Sequence, residues 1–261
     1  MEILAFIGVI GFVIWILWLR PKVRRSRISS RSLTAAELDI LRSKVAFYRE
    51  LDSTGKELFK KQVEQFLGGV AIRGVDTQVT DEDRILVAAS AVIPIFAFPN
   101  WEYRNLNEIL LYPNSFSHKY ETKGEDRNVA GMVGWGPMNR TMILSRQSLK
   151  QGFENEHTKS NVGIHEFVHL IDKIDGATDG LPEVLLRRQY AIPWMELIRK
   201  EMDEIRQKKS NVNPYGATSE AEFFPVISEY FFTQPKMLKR REPELYEMLE
   251  EVFRQDPAER K

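Results

Sequence analysis

From position 3 to position 19 the chain carries no charge and no strong hydrogen-bonding side chain except the indoles of Trp15 and Trp18, and six cations crowd into residues 20–31. At about 1.5 Å per helical residue, the apolar run meets the lower limit for crossing a hydrocarbon core. The tryptophans stand where an interfacial aromatic belt lies, and the cations follow on one side only. This pattern predicts a transmembrane anchor over residues 1–19, spanning through 3–19. A basic tether follows over 20–33, loosened by Ser29, Ser30 and Ser32. By the positive-inside rule the protein is single-pass, with its amino terminus outside and the remaining chain in the cytoplasm. A cleaved signal peptide is disfavoured, because the positive charge comes after the apolar run and no small-residue cleavage site follows.

Beyond the tether the hydrophobic period changes. Over residues 34–67, Leu38, Leu41, Val45 and Tyr48, then Leu58, Val63, Phe66 and Leu67, recur at helical spacing on either side of a break at 52–55. Residues 75–98 open with a polar stretch at 77–83 and continue as ILVAASAVIPIFAF, long enough for a buried helix that stops at Pro94 or Pro99. Residues 109–112 read as a short strand and 117–127 as a polar loop. Residues 129–135 and 140–144 read as a hairpin around Gly136, Pro137 and Asn139. After Asn161 helix dominates: to residue 174, over 194–208, and from about 219 onward. Residues 34–261 are therefore expected to form one helix-rich α+β domain with a small sheet in its middle.

Composition narrows the class. A chain of 261 residues at 43% hydrophobic content can bury a sizeable core, so collagen-like and disordered readings fall away. Lys and Arg number 37 and balance 37 Asp and Glu. The balance conceals an asymmetry, because six cations against Glu2 leave residues 1–31 at +5 and the rest at −5. No global basic surplus points to nucleic acid, and no direct nucleic-acid binding is expected. The lack of cysteine removes disulfides, thiolate zinc sites and thiol nucleophiles, and suits a cytoplasmic body.

The chemistry lies in His165-Glu166-Phe167-Val168-His169, an H-E-x-x-H sequence. Residues four apart on a helix point to the same side, so both imidazoles can share a metal, with Glu166 beside them as a base for a water. Ile164, Phe167, Val168, Ile171 and Ile174 form an apolar stripe, Ser160 or Asn161 can cap the helix, and Gly176 can stop it. The alternative is a pair of packed histidines. Two imidazoles do not close a catalytic zinc site, which takes three protein ligands and keeps a fourth position open. A glycine at 172 and a histidine at 175 would extend the motif, but this chain has Asp172 and Asp175. An Asp175 ligand is conceivable, although without the glycine the helix is expected to run on. His157 and His118 sit in polar, loop-like sequence. Glu220, Glu222 and Glu229 lie on a later helix, and composition does not choose between them.

Three segments carry a resemblance. They are Ile164-His-Glu-Phe-Val-His-Leu-Ile-Asp172, Asn213-Pro-Tyr-Gly-Ala-Thr-Ser-Glu-Ala-Glu-Phe-Phe224 and Val226-Ile-Ser-Glu-Tyr-Phe-Phe232, with looser matches at Phe47-Tyr-Arg-Glu-Leu51 and Met142-Ile-Leu-Ser145. Together they span about residues 40–255, and the chain resembles the MtfA-like metallopeptidases (Mlc titration factor A), whose catalytic core is similar to that of anthrax lethal factor. The resemblance implies a zincin-like domain with one Zn2+ per chain on His165, His169 and Glu222. It further implies Glu166 as general base, Tyr215 at the site, and contact with a transcriptional repressor of sugar uptake. The seven-residue step from Tyr215 to Glu222 also looks like the lethal-factor arrangement. Set beside this, Ser219-x-x-Glu222 is a capping box, and Tyr215 in an Asn-Pro-Tyr-Gly turn fits an ordinary packed aromatic. Asp172, one turn after His169, either orients a ligand histidine or is solvated. Pro225 is expected to kink or restart its helix.

The expected function is therefore a membrane-anchored zinc peptidase acting on peptide or protein substrates in the cytoplasm. The hairpin near Met142 to Ser145 would offer an edge strand to an extended substrate. The alternative is a regulatory module that captures a repressor or another partner with little or no proteolysis. A structural zinc protein fits less well, since three ligands with an open position suit catalysis.

Overall fold

The computed structural model describes residues 31–115, 130–133, 140–154 and 158–260. The anchor, the 117–127 loop, the hairpin tip and the histidines His118 and His157 lie outside the described residues. Among the described residues, no helix is long and apolar enough to cross a membrane.

The protein is helix-rich α+β with a small mixed sheet. Its order is α1 (Ala35–Lys44), α2 (Ala46–Arg49), α3 (Ser53–Gly69), β1 (Ala71–Gly74), α4 (Asp81–Ile95), β2 (Glu108–Tyr112), β3 (Gly131–Val133), β4 (Thr141–Ser145) and α5 (Arg146–Glu154). There follow α6 (Val162–Asp172), α7 (Ala191–Arg206), α8 (Glu220–Thr233), α9 (Pro235–Arg241) and α10 (Pro243–Phe253). Short polar side chains set the helix starts. Thr34, Asp52, Thr80, Asn161 and Ser219 each accept a backbone N–H from the first turn that follows, and Thr34 with Glu37 and Thr80 with Asp83 form reciprocal capping boxes.

The sheet order is β1-β2-β4-β3, with β1, β2 and β4 parallel and β3 antiparallel to β4. The register Gly131↔Leu144, Met132↔Ile143 and Val133↔Met142 bears out the antiparallel pair expected from sequence. The expected edge is corrected, however. β4 is bonded on both sides, by β2 and by β3, so among the described residues the outer strand of the hairpin is β3. β4 is buried on both faces from Met142 to Ser145, as an interior strand is. Strand β1 was not expected, because four residues with a single buried side chain carry too little alternation to read.

Helix α4 is buried from Ile85 to its end and stops one residue after Pro94, whose missing N–H breaks the ladder. Gln255 Nε2 donates to the carbonyls of Ile93 and Pro94 at 3.0 and 3.3 Å, satisfying that terminus. Helix α6 packs against α4 and α8, and β3 lies against it. Gly163 permits the close approach to α4: a Cβ there would stand 2.1 Å from Ser90 Oγ. Ile164, Phe167, Val168 and Ile171 are buried as the apolar stripe requires, each contributing about 1.5–3 kcal/mol by burial. Ile174 departs from the stripe and is 37% exposed. The chain tightens into a 3-10 turn at Lys173–Asp175, whose larger rotation per residue swings that side chain off the buried face before Gly176 ends the turn.

Helix α8 does not restart at Pro225. The proline removes the bond to the carbonyl of Ala221, while its buried neighbours Phe223, Phe224, Tyr230 and Phe231 hold the helix in one piece. Trp194 of α7 is fully buried and donates its indole N–H to Gly180 at 2.7 Å. The Arg260 guanidinium lies 3.9 Å from the Phe47 ring centre, fastening the carboxy-terminal end to the first helices.

Candidate metal centre

Helix α6 starts where the side chain of Asn161 accepts the N–H of Ile164 at 3.1 Å. One turn on, His165 and His169 project to the same side, with ring centres 4.7 Å apart. Helix α8 supplies the facing carboxylate. Ser219 Oγ accepts the N–H of Glu222 at 3.2 Å, so the first half of the capping box is built. The Glu222 side chain, however, turns to the imidazoles: its Oε2 stands 3.2 Å from His165 Nε2 and 3.5 Å from His169 Nε2. The three side chains bring one ligand atom each within 4.8 Å of one another.

The other third-ligand candidates fall elsewhere. Asp175 is exposed and accepts from the N–H of Ala177 at 2.9 Å. Glu220 faces Arg199 at 3.6 Å. Glu229, two turns beyond Glu222, reaches the far side of His165: its Oε1 lies 2.7 Å from Nδ1. Its Oε2 accepts from Ser160 Oγ at 2.8 Å and from the N–H of Asn161. One carboxylate thus holds both the ring of His165 and the start of its helix. The sequence listed Glu229 only as a ligand candidate, and the signal for its actual place was the seven-residue step from Glu222, which puts both on one face of α8. Asp172 is buried, and its Oδ2 accepts the N–H of Gly180 at 3.0 Å. It makes no hydrogen bond to His169, whose Nδ1 has no partner among the described residues.

Charge is unevenly placed here. Burial works against a proton on His165, yet hydrogen bonds to Glu222 and Glu229 outweigh it and push the pKa up to about 10. Burial pushes Glu222 the other way, but the two histidines beside it hold its carboxyl well below the usual range. Glu166 is 5% exposed, and burial raises its pKa despite the nearby imidazoles. Its carboxylate is pressed against the edge strand: a Cβ at Gly131 would lie 2.5 Å from both its Cγ and its Oε1. Only glycine leaves that room. Tyr215, in the 3-10 turn Pro214–Ala217, is half exposed, with its ring centre 6.2 Å from that of His165. Burial raises its pKa, and the Glu222 carboxylate does so further.

These residues open into one cleft of about 830 Å³ bounded by β3, Lys173, Thr178, Asn213 and Val226. Two imidazole nitrogens and one carboxylate oxygen, in a pocket where three glutamates face two histidines, fit a borderline divalent cation such as zinc. A bound cation would supply the positive charge that the carboxylates otherwise draw as a proton onto His165.

The model of the family described as glucose-regulated metallo-peptidase M90 matches residues 19–254. The uncharacterized protein slr2042 of Synechocystis sp. is 28% identical over 98% of this chain and 94% of its own. Mlc titration factor A of Serratia proteamaculans is 29% identical over 70% of this chain and 72% of its own. The protein of that name in Pectobacterium atrosepticum is 28% identical over the same shares.

Proposed function

This chain belongs to the glucose-regulated metallo-peptidase M90 family, and from that premise we propose that it is a zincin-like zinc peptidase that hydrolyses peptide bonds. The observation that carries the proposal is the convergence of His165, His169 and Glu222 in one cleft with the buried carboxylate of Glu166. The first three would hold one zinc, which when bound supplies the Lewis acidity that polarises a carbonyl and makes water acidic enough to act near neutral pH. Glu166 takes the proton of the attacking water and passes it to the leaving amine. Tyr215, at the rim, donates its hydroxyl to the developing oxyanion. The free edge of β3, running past Glu166, offers backbone groups to an extended substrate. Glu229 fixes the ring of His165 through Nδ1, which leaves Nε2 as the atom that would hold the zinc.

A screen of peptides read by mass spectrometry tests the reading. Cleavage by the zinc-loaded chain should vanish with a chelator and return with zinc. If no peptide is cut while a repressor is bound, the second reading holds. That reading, capture of a transcriptional repressor, is favoured by the relatives named Mlc titration factor A. The intact base Glu166 favours hydrolysis, since capture has no use for it. Glu229→Gln is expected to weaken zinc binding by about 10–100-fold without removing a ligand, measured by competition with a chromophoric chelator. Unchanged affinity would remove Glu229 from this role.

The apolar run at 3–19 with its one-sided cations supports a single-pass anchor that leaves the catalytic domain in the cytoplasm. Full-length protein should resist carbonate extraction, and a reporter fused at Lys261 should be active in the cytoplasm. Extraction into the soluble fraction would sink the anchor.

A further inference from the structure

A second group of carboxylates stands apart from the cleft residues. Glu201 and Glu204, one turn apart on α7, meet Glu242, the residue just before α10, and the three bring one oxygen each within 4.8 Å of one another. Three like charges this close destabilise one another unless something positive or a proton lies between them. Among the described residues no lysine or arginine pairs with any of the three. Lys200 is spent on Glu244 at 2.6 Å, and Lys159 donates to the carbonyl of Asn211 at 2.6 Å.

Glu201 adds a second observation. It is only 3% exposed, its carboxylate turns to the other two, and its Oε2 has no hydrogen-bond partner among the described residues. A buried carboxylate oxygen without a donor is costly, and its neighbours here are acceptors as well. Burial first, then Glu242 and Glu204, raise its pKa to about 7. Ser210 Oγ donates to Glu242 Oε1 at 2.9 Å, which holds that carboxylate and brings a further neutral oxygen to the group.

We propose that Glu201, Glu204 and Glu242 form a calcium site that clamps α7 to the start of α10. All the donors are hard oxygens, with no imidazole or thiolate to select zinc. Calcium takes about 6–8 oxygens in a flexible shell that side chains from two helices and added waters can fill, whereas Mg2+ demands near-ideal octahedral geometry and resists losing its waters. In chain order the clamp brackets residues 205–241, which include the connection 207–219 that carries Tyr215, so its occupancy would steady that connection.

The test uses the full chain, zinc-loaded so that the histidine site is filled, titrated with CaCl2 by calorimetry and followed by thermal unfolding. One calcium per chain is expected. Tm should rise by roughly 5–10 °C at about a hundredfold excess over Kd. Glu201→Gln and Glu242→Gln each relieve repulsion and so should fold, yet lose at least tenfold in calcium affinity. Zinc should stay at one per chain throughout the titration, which separates this site from the histidine site. If wild type shows neither heat nor a shift in Tm, or Glu201→Gln binds calcium as tightly as wild type, the site is overturned and the carboxylates share a proton instead.

Discussion

Glu166→Gln is expected to lower peptide hydrolysis by about a hundredfold or more while zinc content and fold stay as in the wild type. Glutamine keeps the shape and the hydrogen-bonding capacity of the side chain but cannot take a proton from water. The geometry makes the substitution clean. Glu166 is not one of the three side chains that bring ligand atoms together, and an isosteric amide fits the space that the bare backbone of Gly131 leaves. Gly131→Ala should share this signature in weaker form, because its methyl displaces the carboxylate without touching a ligand. Tyr215→Phe should also keep zinc and lose less, since it removes one hydrogen-bond donor and leaves the base. The measurements are kcat/KM on a peptide that the wild type cuts, with elemental analysis beside it. Cleavage by Glu166→Gln at the wild-type rate would refute the mechanism.

The second large effect is on the metal. Glu222→Ala should take zinc from one per chain to near zero after dialysis, and His165→Ala should do the same, because either leaves only two protein ligands. The loss should exceed the about 10–100-fold expected at Glu229, whose proposed part is to position His165 without binding the metal. Asp175→Ala is the control: its exposed side chain bonds to Ala177 and is expected to leave zinc unchanged. Full zinc in Glu222→Ala with loss in Asp175→Ala would move the third ligand to the turn after α6. Fold survives in these variants if the buried stripe of α6 does most of its stabilising work, which far-ultraviolet circular dichroism would show.

Much of this centre was legible along the chain because its chemistry is local. H-E-x-x-H needs one helical turn and a stripe, both within eleven residues, and Asn161 announces where the helix begins. Glu222 is harder. The same four letters, Ser219-x-x-Glu222, read as a capping box or as a ligand site: serine caps, while the glutamate side chain leaves the cap and turns to the imidazoles. The choice rests on what faces α8 across the interface with α6, which no local pattern contains.

By itself the sequence determined the helix-rich α+β class, the antiparallel pairing beside β4, the cap and stripe of α6 and the two histidines on one side of it, since each depends on periodicity or capping within a few residues. Tertiary structure alone decided that β4 lies inside the sheet and β3 at its edge, because strand order is set by crossovers between distant segments. It also decided that Glu229 orients His165 across 64 residues of chain, that Gly131 makes room for Glu166, and that Glu201 meets Glu242. These are contacts between side chains far apart in sequence, made where packed elements cross, and a one-dimensional pattern holds no record of which faces will meet.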